Sequence, residues 1–338
     1  MPTHLGGAQD PGGRLASGPR DRGDRGPDRA GRESRVASGR LGRRGPRGRE
    51  RLVTLTVRGV PYHIVLDGEP ARGRPIVLLH GFNGSSEDWT PLLPRLRGEG
   101  RAAIAVDLLG HGATGAPADP SRYTMAEAVR DLDAILGDLG VERSDWLGYS
   151  MGGRVALHMA LAQPERVSSL ILESSSPGIE DVHARARRRG EDDALADRIE
   201  ERGIEWFVNY WSMLPLFETQ RELPPATLAA LRSRRMGSLP AGLARSLRGM
   251  GQGVHDYLGS RLDRVRCDVL LLAGERDVKY VRVARSMAEA IPGSSCVIVP
   301  GVGHAVHLEA PEALADALAA HWMALPELDA EASSRSYE

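Results

Sequence analysis

Three residues of this chain have the types and the order needed for proton transfer beside a carbonyl group. Ser150 stands at the centre of "GYSMGGR" (148–154), Asp277 ends "AGERD" and His304 ends "PGVGH". A serine hydroxyl becomes a base or a nucleophile when an imidazole can take its proton and a carboxylate holds that imidazole in one tautomer. Gly148, Ser150 and Gly152 have the G-x-S-x-G spacing that sets a serine on a tight strand-to-helix turn, where glycines let the flanking backbones approach. The pentapeptide alone is frequent by chance, so its surroundings must carry the argument. An earlier loop, "LLHGFNGSSEDW" (78–89), is placed to donate an amide to a developing oxyanion, and the backbone N–H groups of Phe82 and Met151 are the expected pair.

Arg154 adds a positive charge to this group. Four residues beyond Ser150 on the expected helix, it shares a face with the serine at about 6 Å between Cβ atoms. A guanidinium there points at a carboxylate, supplied by the protein (Glu173 is a candidate) or by a substrate. A neutral ester has no use for it. Other histidines and acids compete for roles. His307 follows His304 closely and reads as structural, while His80 and His111, each before a glycine, read as loop-shaping groups. Asp107 and Asp268 could also orient a histidine, but Asp277, in the loop after a strand, is better placed.

These residues need a scaffold, and the apolar pattern describes one. "LVTLTVRGVPYHIVLDG" (52–68) alternates about Arg58-Gly59 as a hairpin, with Pro61 placing its second strand near an edge. Six runs follow without alternation, at 75–80, 102–108, 145–150, 167–175, 268–274 and 295–301, as suits strands buried on both faces. Helical sequence separates them. Thr124 and Glu127 form a capping box before "MAEAVRDLDAILGDL", Gly140 stops that helix, and Pro164 closes the one after Ser150. Strands alternating with helices imply a mostly parallel α/β sheet. Residues 177–261 break the rhythm with charged helical sequence alone, which predicts a helical lid over the C-terminal edge of the sheet. The domain reading is therefore a core of 51–176 and 262–326, with the lid inserted between two strands.

Composition limits the remaining possibilities. The 338 residues carry 44 basic and 45 acidic side chains, but residues 1–50 hold 12 Arg against 6 acids, so the remainder has a net charge of −7. That Arg/Gly-rich stretch, with 12 Gly and 5 Pro, reads as a disordered tail, and 327–338 as a flexible C-terminus. A basic tail could touch nucleic acid or anionic lipid; a solvated extension is the simpler reading, and the folded part offers no nucleic-acid site. No stretch of 18 or more apolar residues and no N-terminal secretory h-region is present, so a cytoplasmic protein without membrane insertion is expected. Cys267 and Cys296 read as buried reduced thiols. No metal-ligand spacing, phosphate loop or dinucleotide fingerprint appears, and no cofactor is expected.

Ser, Asp and His in that order, each at a strand end, is the α/β-hydrolase arrangement. A more specific likeness lies in "GYSMGGRVAL", "LILESSSPGI", "WFVNYWSMLPLFETQRELP", "ARSLRGMGQGVHDYL" and "GERDVKY". With these, the chain from about Arg74 to Leu325 resembles the 2-succinyl-6-hydroxy-2,4-cyclohexadiene-1-carboxylate synthases of menaquinone biosynthesis, in the lid as well as the core. The resemblance implies a carbon–oxygen lyase that eliminates pyruvate from 2-succinyl-5-enolpyruvyl-6-hydroxy-3-cyclohexene-1-carboxylate, the triad serine acting as a base. It implies a small tricarboxylate substrate and binding roles for Arg154, Tyr149, Arg188, Trp211 and Arg232. Arg187 and Arg189 compete with Arg188, Arg234 and Arg235 with Arg232, and Trp206 and Trp211 could equally be lid core. A serine hydrolase of a small ester or carbon–carbon bond uses the same triad. A non-catalytic binding protein would not need all three of its members.

Overall fold

The computed structural model describes residues 50–325; the expectations for the N-terminal tail and the last residues lie outside that range. In chain order the strands and helices are β1 (Arg51–Val57), β2 (Val60–Asp67), β3 (Ile76–Leu79), α1 (Leu93–Gly98), β4 (Ala103–Val106), α2 (Met125–Asp138), β5 (Ser144–Tyr149), α3 (Met151–Ala162) and β6 (Val167–Glu173). Next come α4 (Val182–Ser212), α5 (Pro225–Met236), α6 (Pro240–Met250), β7 (Asp268–Gly274), α7 (Val278–Ala290), β8 (Ser295–Val299), α8 (Val306–Glu309) and α9 (Pro311–Ala324).

The eight strands form one sheet in the order β1-β2-β4-β3-β5-β6-β7-β8. Its first two pairings are antiparallel and the other five parallel. Each non-alternating run forms a strand, and β3, β4, β5 and β6 are buried along their whole length, as helices on both faces require. Pro61 is tolerated because β4 pairs only with Ile64–Asp67 of β2, leaving the proline opposite Thr56 with no second strand beside it.

The start of α2 departs from a full capping box. Thr124 accepts from the Glu127 amide at 3.2 Å, but the Glu127 carboxylate is taken by Arg58 at 2.6 Å. A charge-assisted bond outcompetes the neutral return bond to the Thr124 amide. Cys267 and Cys296 are free and only partly buried, and burial pushes the Cys267 thiol up to about 12.

The strand order reverses direction at β3, which lies between β4 and β5. Loops leaving the C-terminal ends of β3 and β5 therefore diverge to opposite sides and open a crevice, the usual ligand position in such sheets. Between β6 and β7 the chain forms helices joined by loops and no strand. Its longest helix, α4, is two segments joined at Gly203, where φ of 79° breaks the helical path. Leu195, Ala196, Ile199 and Phe207 of α4 pack on Leu243, Ala244 and Leu247 of α6 in a small core of their own, against which Phe82 of the β3 loop also packs.

Candidate active site

The crevice is a cavity lined by the β3 loop, the turn after β5 and the helices between β6 and β7. Ser150, the residue that turns β5 into α3, has φ of 51° and ψ of −105°, a strained conformation that lifts its hydroxyl off the sheet. Crowding explains the glycines around it. A Cβ on Gly148 would lie 2.4 Å from the Gly152 carbonyl oxygen, and one on Gly152 would lie 2.2 Å from the Leu79 oxygen.

His304 follows β8 and brings its Nε2 to 3.2 Å from Ser150 Oγ, while its Nδ1 lies 2.6 Å from Asp277 Oδ2. The carboxylate draws the ring proton to Nδ1, which leaves Nε2 as an acceptor for the serine proton. Asp277 caps α7, its other oxygen accepting from the Tyr280 amide at 3.2 Å. A strand end and a helix start thus fix the acid on both sides. Met151 is the first residue of α3, where helical amides have no partner of their own. Among the described residues neither its amide nor that of Phe82 donates to an internal acceptor.

The other candidates separate cleanly. Glu173 does not meet Arg154; its Oε1 accepts from both the backbone amide and Nδ1 of His307, at 3.1 and 2.8 Å. His307 also packs on Tyr149 and Trp89, with ring centres 4.5 and 4.7 Å away. Asp107 orients His63 at 3.1 Å, and Asp268 is exposed at the start of β7, so neither reaches His304. His80 donates from Nδ1 to the Gly81 carbonyl and accepts the Leu108 amide at Nε2, tying the loops after β3 and β4 together.

Arg154 is 6% exposed and donates to the Met250 carbonyl at 3.1 Å; its Nε has no partner and no carboxylate lies within ion-pair distance among the described residues. Burial lowers its guanidinium to about 10, which leaves it charged at neutral pH. Arg188 also lines the cavity, paired with Asp192 at 2.8 Å and reaching Gln252 at 3.4 Å. Arg189 instead pairs with Asp193 at the surface. Trp211 lines the cavity and packs edge-on against Phe82, and Tyr149 lies beside His304 with ring centres 5.2 Å apart. Trp206 stacks on Tyr210 away from the cavity.

Arg232 is a correction. It is outside the cavity lining, exposed, and bound to Asn209 at 2.6 Å and Glu205 at 3.6 Å. Arg235, three residues on, lines the cavity in its place. Sequence reasoning found the arginine run but not its orientation. It missed Gln252 and Tyr280 altogether, although they join at 3.0 Å on the cavity wall and Tyr280 packs on His304.

Residues 74–311 match the α/β hydrolase fold family. A Bacillus subtilis (strain 168) protein provisionally assigned as a 2-succinyl-6-hydroxy-2,4-cyclohexadiene-1-carboxylate synthase is 40% identical over 262 residues, covering 77% of this chain and 94% of that protein. The chain belongs to the family of these synthases. The Salmonella typhimurium enzyme of that name is 31% identical over 256 residues, covering 75% of this chain and 95% of the enzyme. Among solved structures, MenH from S. aureus superposes with a TM-score of 0.71 at 36% identity, covering 74% of this chain and 93% of that one. Both relatives match through the inserted helices as well as the sheet. Among the described residues no helix is long and apolar enough to cross a membrane, and no group of three or more His, Cys, Asp or Glu could hold a metal ion.

Proposed function

We propose that this protein is the menaquinone-pathway lyase that eliminates pyruvate from 2-succinyl-5-enolpyruvyl-6-hydroxy-3-cyclohexene-1-carboxylate. Ser150, its proton drawn to His304 Nε2, removes the ring proton next to the succinyl ketone. Negative charge grows on the ketone oxygen, where the Phe82 and Met151 amides receive it. The electrons then pass across the ring double bond and expel the enolpyruvyl oxygen at the far carbon. The proton carried by His304 returns to the methylene carbon of the leaving enolate, giving pyruvate and the conjugated diene with no water consumed.

The observation that carries this reading is Arg154, buried one helical turn beyond the serine with no carboxylate among the described residues to neutralise it. An isolated buried charge is costly, so a ligand carboxylate is its natural partner. Arg188, although paired with Asp192 at 2.8 Å, adds a further guanidinium to the same cavity. Tyr149 and Trp211 supply walls for the ring.

A serine hydrolase would use the same triad through an acyl-enzyme and would need water in the second step. The test is therefore paired: pyruvate release from the enolpyruvyl substrate and turnover of a p-nitrophenyl ester, each with the wild type, Ser150→Ala and Arg154→Ala. Rapid pyruvate release that depends on both residues and outpaces ester cleavage supports the lyase. Ester turnover alone, indifferent to Arg154, makes the protein a hydrolase.

A further inference from the structure

Tyr280, the third residue of α7, carries a hydroxyl that the chain itself does not use up. The residue is 4% exposed, lines the cavity, and has its ring centre 4.7 Å from that of His304. Two contacts hold it there: its backbone amide donates to Asp277 at 3.2 Å, and its hydroxyl oxygen accepts from Gln252 Nε2 at 3.0 Å. The sense of the second bond is set from the far side of Gln252. Its Oε1 accepts from Arg188 at 3.4 Å, and an arginine can only donate, so the nitrogen end of the amide turns to Tyr280 and Ser176. A phenol oxygen that accepts still has its own proton to give. Among the described residues no side chain or carbonyl accepts that proton.

Packing does not account for this hydroxyl, because a bare aromatic ring would cover His304 as well. Its surroundings indicate a use. Of the ionisable groups around Arg154, the Tyr280 oxygen acts on the guanidinium more strongly than Arg188 or Asp192, which places phenol and guanidinium close together. Both residues line the cavity, and the Arg154 side chain has only the Met250 carbonyl as an acceptor. A charged donor and a neutral donor thus stand beside each other with hydrogens unspent.

Resting on the lyase reading for the identity of the ligand, we infer that Tyr280 is a substrate-binding residue whose hydroxyl donates to the same carboxylate that Arg154 receives. A carboxylate has lone pairs for both donors: the guanidinium supplies charge, and the phenol, fixed by Gln252, supplies direction. Because the Tyr280 ring also lies against His304, the bound carboxylate is held at a set place relative to the base.

A double-mutant cycle tests whether the two residues share one carboxylate. Affinity for 2-(3-carboxypropionyl)benzoate, a keto dicarboxylate, is measured by calorimetry in a Ser150→Ala background, alone and with Tyr280→Phe, Arg154→Ala or both. Titration to millimolar ligand keeps the weakest variant readable. Tyr280→Phe retains the ring against His304 and removes only the hydroxyl. It is expected to weaken binding about tenfold while Arg154 is present, and less than about twofold once Arg154 is alanine, because the carboxylate is then no longer held at the phenol. Tyr210→Phe, whose ring stacks on Trp206 away from the cavity, is the control and should change affinity little. Unchanged affinity in Tyr280→Phe overturns the inference. So does an equal loss with and without Arg154, the mark of a hydroxyl that shapes the wall through Gln252 and does not touch the ligand. Pyruvate release by the wild type is scored separately, so failure of the lyase reading leaves the cycle readable.

Discussion

On the sheet side of the cavity two buried histidines meet carboxylates: Asp277 holds His304 at 2.6 Å and Glu173 holds His307 at 2.8 Å. Across from them, Arg154 on α3 and Arg235 on α5 are buried with only a carbonyl and an amide oxygen as acceptors. The first set is electrostatically complete without a ligand, and on the proposed reading its Asp277–His304 half moves the proton. The second has no carboxylate partner among the described residues, and on the proposed reading Arg154 receives one from the substrate. Substitutions in the two sets should therefore fail in different ways.

The largest effect belongs to the complete set. Ser150→Ala and Asp277→Asn should each lower kcat for pyruvate release by about 10³- to 10⁴-fold, as loss of the base or of its tautomer does in triads of this kind, with KM changed little. Steady-state kinetics check this, and a variant retaining a tenth of the wild-type kcat would remove the triad from the mechanism. Arg154→Ala comes next. Truncating one side of a buried charged contact costs about 2–5 kcal/mol, so kcat/KM should fall well over tenfold. If ester turnover fell equally, the carboxylate-selecting role of Arg154 would be lost.

Glu173→Gln probes the half of the complete set that does not touch the serine. Glu173 is fully buried and its Oε1 accepts two bonds from His307. The variant should lose about 1–3 kcal/mol of stability, the cost of leaving buried polar groups mismatched, while kcat changes far less than in Asp277→Asn. Equal losses of kcat in the two variants would show that His307 shares the proton chemistry.

Acid should loosen the fold through histidines outside both sets. Burial pushes His111 and His255 down to about 3 from the ordinary 6.5. The unfolded chain takes up these protons near pH 6.5 and the folded one only near 3, so this contribution is complete above about 6.5 and shrinks as the pH falls towards 3. Melting temperature followed from neutral pH downward should decline over that window, and a flat profile would contradict the assignment. The smallest effect is assigned to Arg232→Ala, which removes an exposed contact and should raise KM by less than about fivefold. A loss as large as that of Arg154→Ala would return Arg232 to the substrate site.

Much of the sheet was legible because its signals are local. Runs such as "VSSLILE" and "DVLLLAG" are buried on nearly every residue, and non-alternating apolar sequence has few other uses in a parallel sheet. That Ser150, Asp277 and His304 come together was legible for a related reason: each stands at or just beyond a strand end, and strand ends converge at one edge. Partners were harder to read. Glu127 caps nothing with its carboxylate because Arg58, 69 residues earlier, is closer, and Glu173 serves His307 across 134 residues.

The sequence by itself determined the order of strands and helices, the elbow that strains Ser150 and the presence of a carboxylate and an imidazole to serve it. Tertiary structure decided which arginines face the cavity. Arg232, Arg234 and Arg235 share one helix with cations around much of its circumference, so no apolar stripe declares the inward side. The docking of α5 sends them to Asn209, to Asp88 and into the cavity respectively, because long-range contacts set the rotation of a helix that its own residues leave open.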